Sequence, residues 1–223
     1  MSKKSDIING TLAHASRSGL IYTCKGGWID LGHARPDNAR DNLWTPLLNE
    51  TGSKSKNRKG FKLRFAETQS KFGLTTGVAR EYYIGFGLKK GEKESIALAV
   101  FMEVSMGFEA LQSNFLYRRV TDSGFSAEDL FSNIVGFYKA VRPGTDYIAL
   151  LQPVSKEAGV QVWDTYGVVG NNKNQYFAPI IYPCNECSNS PMGPMSGRVP
   201  DILNAIEPAK KGPDFRDWNY FTD

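Results

Sequence analysis

The chain has few of the residues that most often carry metal or thiol chemistry. Its 223 residues include only two histidines, His14 and His33, and three cysteines, which cannot all pair within one chain. Cys184 and Cys187 form a C-x-x-C with no second such pair and no nearby histidine. This spacing favours a local disulfide or free thiols over a zinc ribbon. We therefore expect no metal and no other cofactor.

Long apolar segments are also missing. The longest uninterrupted apolar run, Ile96–Met102, has seven residues, whereas a membrane helix needs about 20. The segment Met1–Asp6 contains two lysines but no apolar stretch follows them, which argues against a secretory signal. We expect no membrane span. A protein of this kind that acts outside the cytoplasm would need a dedicated secretion or lysis route.

The chain as a whole lacks a strong excess of charge of one sign. Its 27 Lys and Arg against 23 Asp and Glu give a net charge of +4, which is too mild to indicate nucleic acid as a partner. Residues 1–64 hold twelve basic and five acidic residues, and six of the basic ones lie in Lys54–Arg64. A solvated loop and strand edge explains this basic stretch most simply, and a contact for a polyanion is the alternative.

The apolar spacing predicts an α+β fold in a single domain, residues 1–223. The domain is mainly helical with a small antiparallel sheet, and a lysozyme-like core is one interpretation. We expect a compact core over about residues 6–168 and a loop-rich C-terminal segment over residues 169–223, which is dense in Pro, Gly, Asn and Ser. Predicted helices cover residues 6–18, 36–48, 92–111, 126–142 and 155–166, and predicted strands cover residues 20–24, 61–65 and 79–86.

The first candidate site is the segment Gly26–Asp37, in which His33 lies among glycines. Asp30 precedes His33 by three residues and Arg35 follows it by two, so that both could orient the imidazole and tune its charge. The glycines would let the backbone approach a ligand closely. A structural interpretation is equally open, in which Asp30 and Asp37 cap turns and His33 bonds a backbone carbonyl.

The second candidate is Glu103, which closely follows the apolar run in the predicted helix 92–111. Desolvation in apolar surroundings raises the pKa of a carboxyl and makes it a competent proton donor near neutral pH. Glu103 lies off the main apolar stripe of the helix and could therefore face a cleft. A solvated helix face and an ion pair with an arginine are the alternatives. Glu109, six residues further on, projects from a different face of the helix.

Two segments together resemble a known bacterial family. They are Tyr22–Arg35, which contains Cys-Lys-Gly-Gly-Trp-Ile-Asp-Leu-Gly-His, and Ser123–Gly136, which contains Ser-Ala-Glu-Asp-Leu-Phe-Ser-Asn. With a helical glutamate between them, they are similar to the family catalogued as domain of unknown function 4056, over about residues 21–141. In that family a histidine usually precedes the glutamate. Met102 stands at that position here, which weakens a metal-site interpretation, and the family label implies no reaction.

These residues lead to the hypothesis that the protein cleaves bacterial cell-wall glycan, in the manner of a lysozyme or a lytic transglycosylase. Glu103 would be the general acid, and Asp30, or His33 held by Asp30, would be the second group. A transglycosylase needs only the one acid/base. Substrate contacts are expected at five further residues: Arg35, Glu109, Ser132, Asn133 and Tyr82.

The expected partners are glycan strands of peptidoglycan in the periplasm, together with an immunity protein if the enzyme is a delivered antibacterial effector. Two other classes of function remain open. One is a peptidase or amidase that uses either a metal at His33, Asp30 and Glu103 or a nucleophilic Cys24–His33 pair. The other is a non-catalytic module that binds a polyanion through Lys54–Arg64.

Overall fold

The computed structural model describes residues 2–71, 74–113, 126, 128–169 and 173–219. Over these residues the chain forms an α+β fold in which helices pack against small antiparallel sheets. This confirms the predicted fold class. No helix in the described part of the chain is long and apolar enough to cross a membrane.

A two-stranded antiparallel ribbon leads to the candidate site. Its strands are β1 (Leu20–Thr23) and β2 (Gly27–Asp30). Every residue of β1 is buried, because both faces of the ribbon are covered. Ile29 packs in the main core, whereas Trp28 belongs to a smaller core on the other face. The strand β2 ends at Asp30, and the turn that carries His33 follows directly.

The main sheet has four antiparallel strands in the order β3-β4-β5-β8. They are β3 (Ser53–Lys54), β4 (Gly60–Lys71), β5 (Leu74–Gly85) and β8 (Phe215–Asp217), and β6 (Ile180–Ile181) pairs with β7 (Met195–Ser196) in a separate ribbon. The predicted strands over residues 61–65 and 79–86 are confirmed, although β4 and β5 are both longer. The strand β8 comes from the C-terminal segment that was predicted to be loop-rich.

The helices pack against this sheet, against the β1–β2 ribbon and against one another. They are α1 (Asp37–Ala39) and α2 (Thr45–Asn49), which flank a π-helical segment (Arg40–Trp44), then α3 (Lys90–Ser113), α4 (Asp129–Val141), α5 (Tyr147–Leu150) and α6 (Lys156–Tyr166). The long helix α3 packs on β4 and β5, and α4 packs on α3 and on β2. The space beside the His33 turn is therefore enclosed by α3, α4 and β4.

Two helix predictions need correction. Residues 6–18 do not form a helix; the chain forms short 3-10 turns at Lys4–Asp6 and Gly10–Leu12. The side chain of Asn9 accepts a hydrogen bond from the Thr11 N–H (3.0 Å), which caps one turn locally and competes with a longer helix. The helix α4 begins at Asp129 rather than near Ser126.

The cysteine pairing also differs from the expectation. Cys24 is bonded to Cys187, 163 residues further along the chain, and Cys184 is a buried free thiol. A disulfide within the C-x-x-C is therefore wrong, because Cys187 already has a partner. The Cys24–His33 nucleophilic pair is wrong for the same reason, since the Cys24 sulfur is not a free thiol.

Candidate functional site

The two segments that carry the resemblance meet in the fold. Asp129, Ser132, Asn133 and Gly136 have the spacing i, i+3, i+4 and i+7 and so lie on one face of α4. The Ser132 hydroxyl oxygen accepts a hydrogen bond from the Asp30 N–H (3.0 Å). A Cβ at Gly136 would lie 2.7 Å and 2.9 Å from two carbonyl oxygens of the His33 turn. Glycine at this position therefore lets the turn lie directly against α4.

The His33 turn is shaped by Asp30 and its imidazole is held by Asn133. The Asp30 Oδ1 accepts hydrogen bonds from the Gly32 N–H (2.7 Å) and the His33 N–H (3.3 Å). Asp30 thus caps the turn, as the structural interpretation expected. The His33 Nδ1 is 3.1 Å from the Asn133 Oδ1, so Nδ1 carries a proton and donates it. The His33 Nε2 is 3.9 Å from the Asp129 Oδ1.

A second wall of the site comes from β4 and α3. Glu67 continues the inward-facing positions of β4, and the Ser105 hydroxyl donates a hydrogen bond to its Oε1 (2.5 Å). Ser105 lies on the same face of α3 as Phe108 and Glu109, which follow it by three and four residues. Glu109 is fully buried. The carboxyl that this wall presents to the site is therefore that of Glu67.

The site opens into two adjoining cavities that share part of their lining. One has a volume of about 540 Å³, and we call it the Glu67 cavity. The other has a volume of about 550 Å³, and we call it the acidic cavity. His33, Thr68 and Phe108 line both. The remaining lining of the Glu67 cavity includes aromatic, amide and charged side chains: Phe101, Phe137, Asn38, Asn133, Arg35 and Asp37. Together the cavities form one cleft, with His33 at its centre.

The charges around His33 favour its protonated form. Burial in the cleft lowers the pKa of His33, but the negative charges of Asp129, Asp30 and Glu109 raise that pKa by more, and the hydrogen bond to Asn133 raises it further. The net result is a pKa above the usual range of histidine. The side chain of His33 is 38% exposed, so the imidazolium can meet a ligand in either cavity.

Glu67 is the carboxyl of the Glu67 cavity whose protonation changes near neutral pH. Burial raises its pKa to about 7, although the hydrogen bond from Ser105 and the positive charge of His33 both oppose the rise. Burial also raises the pKa of Asp129, which the nearby His33 counteracts. Below about pH 7 a protonated Glu67 carboxyl and the His33 imidazolium therefore line the same cavity.

Glu103 lies outside this cleft. Its side chain is 37% exposed and is ion-paired with Lys211 (3.2 Å) and Arg80 (3.9 Å), which matches the alternative of an ion pair. It lines neither cavity. Six residues separate it from Glu109, so the two carboxyls point to different sides of α3. Glu67 occupies the desolvated environment that was expected for Glu103.

The remaining predicted contacts divide between the cleft and the core. Arg35 lines the Glu67 cavity and is ion-paired with Asp37, whose Oδ2 is 2.8 Å from its Nε. Glu109 lies close enough to His33 to raise its pKa. Ser132 is fully buried, and its hydroxyl accepts a hydrogen bond from the backbone of β2. Tyr82 is fully buried in the main core and lines neither cavity.

Sequence reasoning missed several acidic residues of the cleft, among them Glu67 and Asp129. Glu67 follows Phe61, Leu63 and Phe65 at every second position, so the period of a strand already placed it on the inner face. The side chain of Asp129 accepts a hydrogen bond from the Ser126 N–H (3.2 Å), as an acid in the first turn of a helix often does. Asp129 precedes Ser132 and Asn133 by three and four residues, and this spacing indicates that the three residues share one face of α4.

The residues of the other hypotheses lie in different parts of the fold. Within the described ranges, no group of three or more His, Cys, Asp or Glu side chains is placed to hold a metal ion. The basic stretch Lys54–Arg64 forms the β3–β4 edge of the main sheet, and no lysine is among the described residues that line the two cavities. The cleft is therefore acidic, not basic.

Comparison of the chain with family models, curated proteins and solved structures found no significant match, so the family resemblance and the lysozyme-like interpretation stay predictions.

Proposed function

We propose that the protein cleaves glycan strands of bacterial peptidoglycan by general acid–base catalysis in the cleft around His33. One observation carries the proposal: the Glu67 carboxyl, with a pKa of about 7, faces a cavity that it shares with His33. A carboxyl that is protonated near neutral pH is the proton donor that glycosidic bond cleavage requires. The proposal keeps the predicted reaction and assigns the acid to Glu67 instead of Glu103.

The neighbouring groups suit the charges that such a reaction develops. Glu67 would donate its proton to the glycosidic oxygen, and the His33 imidazolium would then stabilise the resulting carboxylate. The carboxylate of Asp129 would stabilise the positive charge that develops on the sugar. In a transglycosylase, Glu67 would take back a proton from a sugar hydroxyl, so that one acid/base serves both steps.

The identity of the substrate is supported by the lining of the cleft. Phenylalanine rings together with amide, hydroxyl and charged groups suit a sugar, which presents both apolar faces and hydroxyls. The Cys24–Cys187 disulfide is typical of an oxidising compartment such as the periplasm, where the glycan lies. A delivered antibacterial effector with an immunity protein as partner would fit these features.

Mass spectrometry of purified sacculi after incubation with the protein tests the proposal. We expect reducing or anhydro sugar ends in the products of the wild type, and a loss of about 10²–10⁴-fold in their rate of release by Glu67→Gln. Release of free amino groups without new sugar ends would instead indicate a peptidase or amidase. Undigested sacculi together with salt-sensitive binding of a polyanion would indicate a binding module.

A further inference from the structure

The acidic cavity differs sharply from the Glu67 cavity in its charge. Carboxyl and hydroxyl side chains dominate its lining: Asp6, Asp30, Glu128, Asp129, Ser2, Ser5, Ser18 and Ser126. His33 is the one cationic side chain in the described lining, which contains neither lysine nor arginine. The cavity therefore presents several acceptors and a net negative charge to whatever occupies it.

Glu128 is the residue of this cavity whose hydrogen bonding is incomplete. It is only 2% exposed. Its Oε1 accepts a hydrogen bond from the Ser2 hydroxyl (3.0 Å), whereas its Oε2 is buried and has no hydrogen-bond partner among the described residues. Buried polar atoms nearly always have a partner, because leaving one without costs free energy. A cationic ligand would supply the missing donor.

The other nearby carboxyls already have partners within the fold. The Asp30 Oδ1 accepts two backbone hydrogen bonds. The Asp129 Oδ2 accepts the Ser126 N–H, and its Oδ1 lies beside the His33 Nε2. Burial and the negative charge of Asp129 both raise the pKa of Glu128 to about 8, so an ammonium group that binds beside Glu128 would displace its proton and stabilise the charged carboxylate.

We propose that the acidic cavity binds a primary ammonium group of the substrate, with Glu128 as its ion-pair partner. This inference rests on the proposed function, because the cavity joins the Glu67 cavity at His33 and would receive a group that neighbours the cleaved bond. A primary ammonium has three N–H donors on a rotatable centre, which suits a lining of carboxylates and hydroxyls. A metal ion is the poorer fit, given the lack of a metal-binding group in the described residues.

Two parts of a cell-wall strand carry such an ammonium group. One is a glucosamine that has lost its acetyl group, and the other is the side-chain amine of a diamino acid in a peptide attached to the sugar. Acetylation removes the positive charge of either amine. Each source therefore has a neutral counterpart that differs by one acetyl group.

The test measures the binding of matched probes to the wild-type protein by calorimetry. The pairs are glucosamine with N-acetylglucosamine, and Nα-acetyl-lysine amide with its Nε-acetylated form. We expect one amine to bind at least about tenfold more tightly than its acetylated counterpart, and the pair that discriminates identifies the source. Equal affinities within both pairs, or no binding of any probe, would overturn the inference. Displacement of the bound amine by an equal concentration of Ca²⁺ would also overturn the inference, because the cavity would then not be selective for an ammonium group.

The variant Glu128→Gln assigns the binding to this cavity. We expect amine affinity to fall about tenfold or more, while Glu207→Gln, which changes an exposed carboxyl elsewhere, leaves it unchanged. Thermal unfolding of the same samples reports folding, and Glu128→Gln should unfold no earlier than the wild type because it removes a buried, incompletely bonded carboxyl. A folded Glu128→Gln that binds like the wild type would refute the assignment. If this variant does not fold, the wild-type probe pairs still decide.

Failure of the proposed function gives a different pattern. Amines that bind selectively while sacculi stay undigested would leave the ammonium site standing and reject glycan cleavage. Digestion of sacculi without any preference between amine and acetylated probes would reject the ammonium site alone.

Discussion

The close packing of α4 on the His33 turn predicts that Gly136→Ala damages both stability and activity. A Cβ at this position would lie 2.7 Å from the Arg35 carbonyl oxygen and 2.9 Å from the His33 carbonyl oxygen. Both atoms belong to the backbone, so neither can swing away as a side chain would. The turn or the helix must therefore move by about 0.5 Å to restore ordinary contacts.

Two opposing effects set the magnitude. Alanine is favoured over glycine in a helix interior by about 1 kcal/mol, whereas overpacking of this kind costs roughly 1–3 kcal/mol. Because two backbone oxygens are involved at Gly136, we take the upper end of this cost, about 3 kcal/mol, which leaves a net destabilisation of about 2 kcal/mol, or a fall in Tm of about 4–8 °C. A displacement of His33 by about half an ångström should lower kcat/KM about tenfold.

The assay pairs thermal unfolding with the rate of sacculus digestion. Gly91→Ala is the matched control, since Gly91 lies in α3 and a Cβ there would meet nothing within 4 Å. This control should be as stable as the wild type or more stable, with unchanged activity. If Gly136→Ala behaves like Gly91→Ala, the argument that glycine holds the His33 turn against α4 is refuted.

Three further predictions concern the disulfide, the pH dependence and the orientation of the imidazole. Cys24→Ser and Cys187→Ser should each lower the free energy of unfolding by about 5 kcal/mol, from the entropy of closing a long loop, and urea denaturation of the reduced wild type should show the same loss. Because folding raises the pKa of His33 and of Glu67, each residue contributes to the free energy of unfolding at low pH. The contribution of His33 is lost as the pH rises above 6.5, and that of Glu67 is lost as the pH rises from about 4.5 to about 7. His33→Asn and Glu67→Gln should each flatten the decline of unfolding free energy with pH in the range of the residue that it replaces. Stability curves of the variants that run parallel to the wild-type curve would contradict this. Asn133→Ala should lower the pKa of His33 in an NMR titration and reduce kcat more than it changes KM, and an unshifted titration would show that Asn133 does not hold the ring.

The alternation of apolar residues along the chain predicted those parts of the site that lie on strands. The strand Leu20–Thr23 and the sheet pairing of β4 with β5 follow from apolar alternation. The same alternation reaches Glu67, so its inward direction was available from the sequence. What the sequence could not show is that Ser105 and His33 lie close to Glu67, because these three residues come together only through the packing of α3 and the His33 turn against the sheet.

Long-range contacts account for the places where the structure differs from the expectations. The partner of Cys187 is Cys24, 163 residues away, and no local spacing indicates such a pair. Glu103 was singled out because an apolar run precedes it, but the neighbours that decide its environment are Lys211 and Arg80. Lys211 reaches Glu103 from the C-terminal segment, whose path the sequence pattern does not determine.

The measurement that tests the central claim most directly compares the digestion rates of two matched variants, Glu67→Gln and Glu103→Gln, on the same sacculi at pH 7. Both remove one carboxyl charge and keep the shape of the side chain, but only Glu67 faces the cavity that contains His33. We expect Glu67→Gln to lose about 10²–10⁴-fold in rate and Glu103→Gln to stay within about twofold of the wild type. A Glu67→Gln variant as active as the wild type, or an inactive, folded Glu103→Gln, would contradict the account.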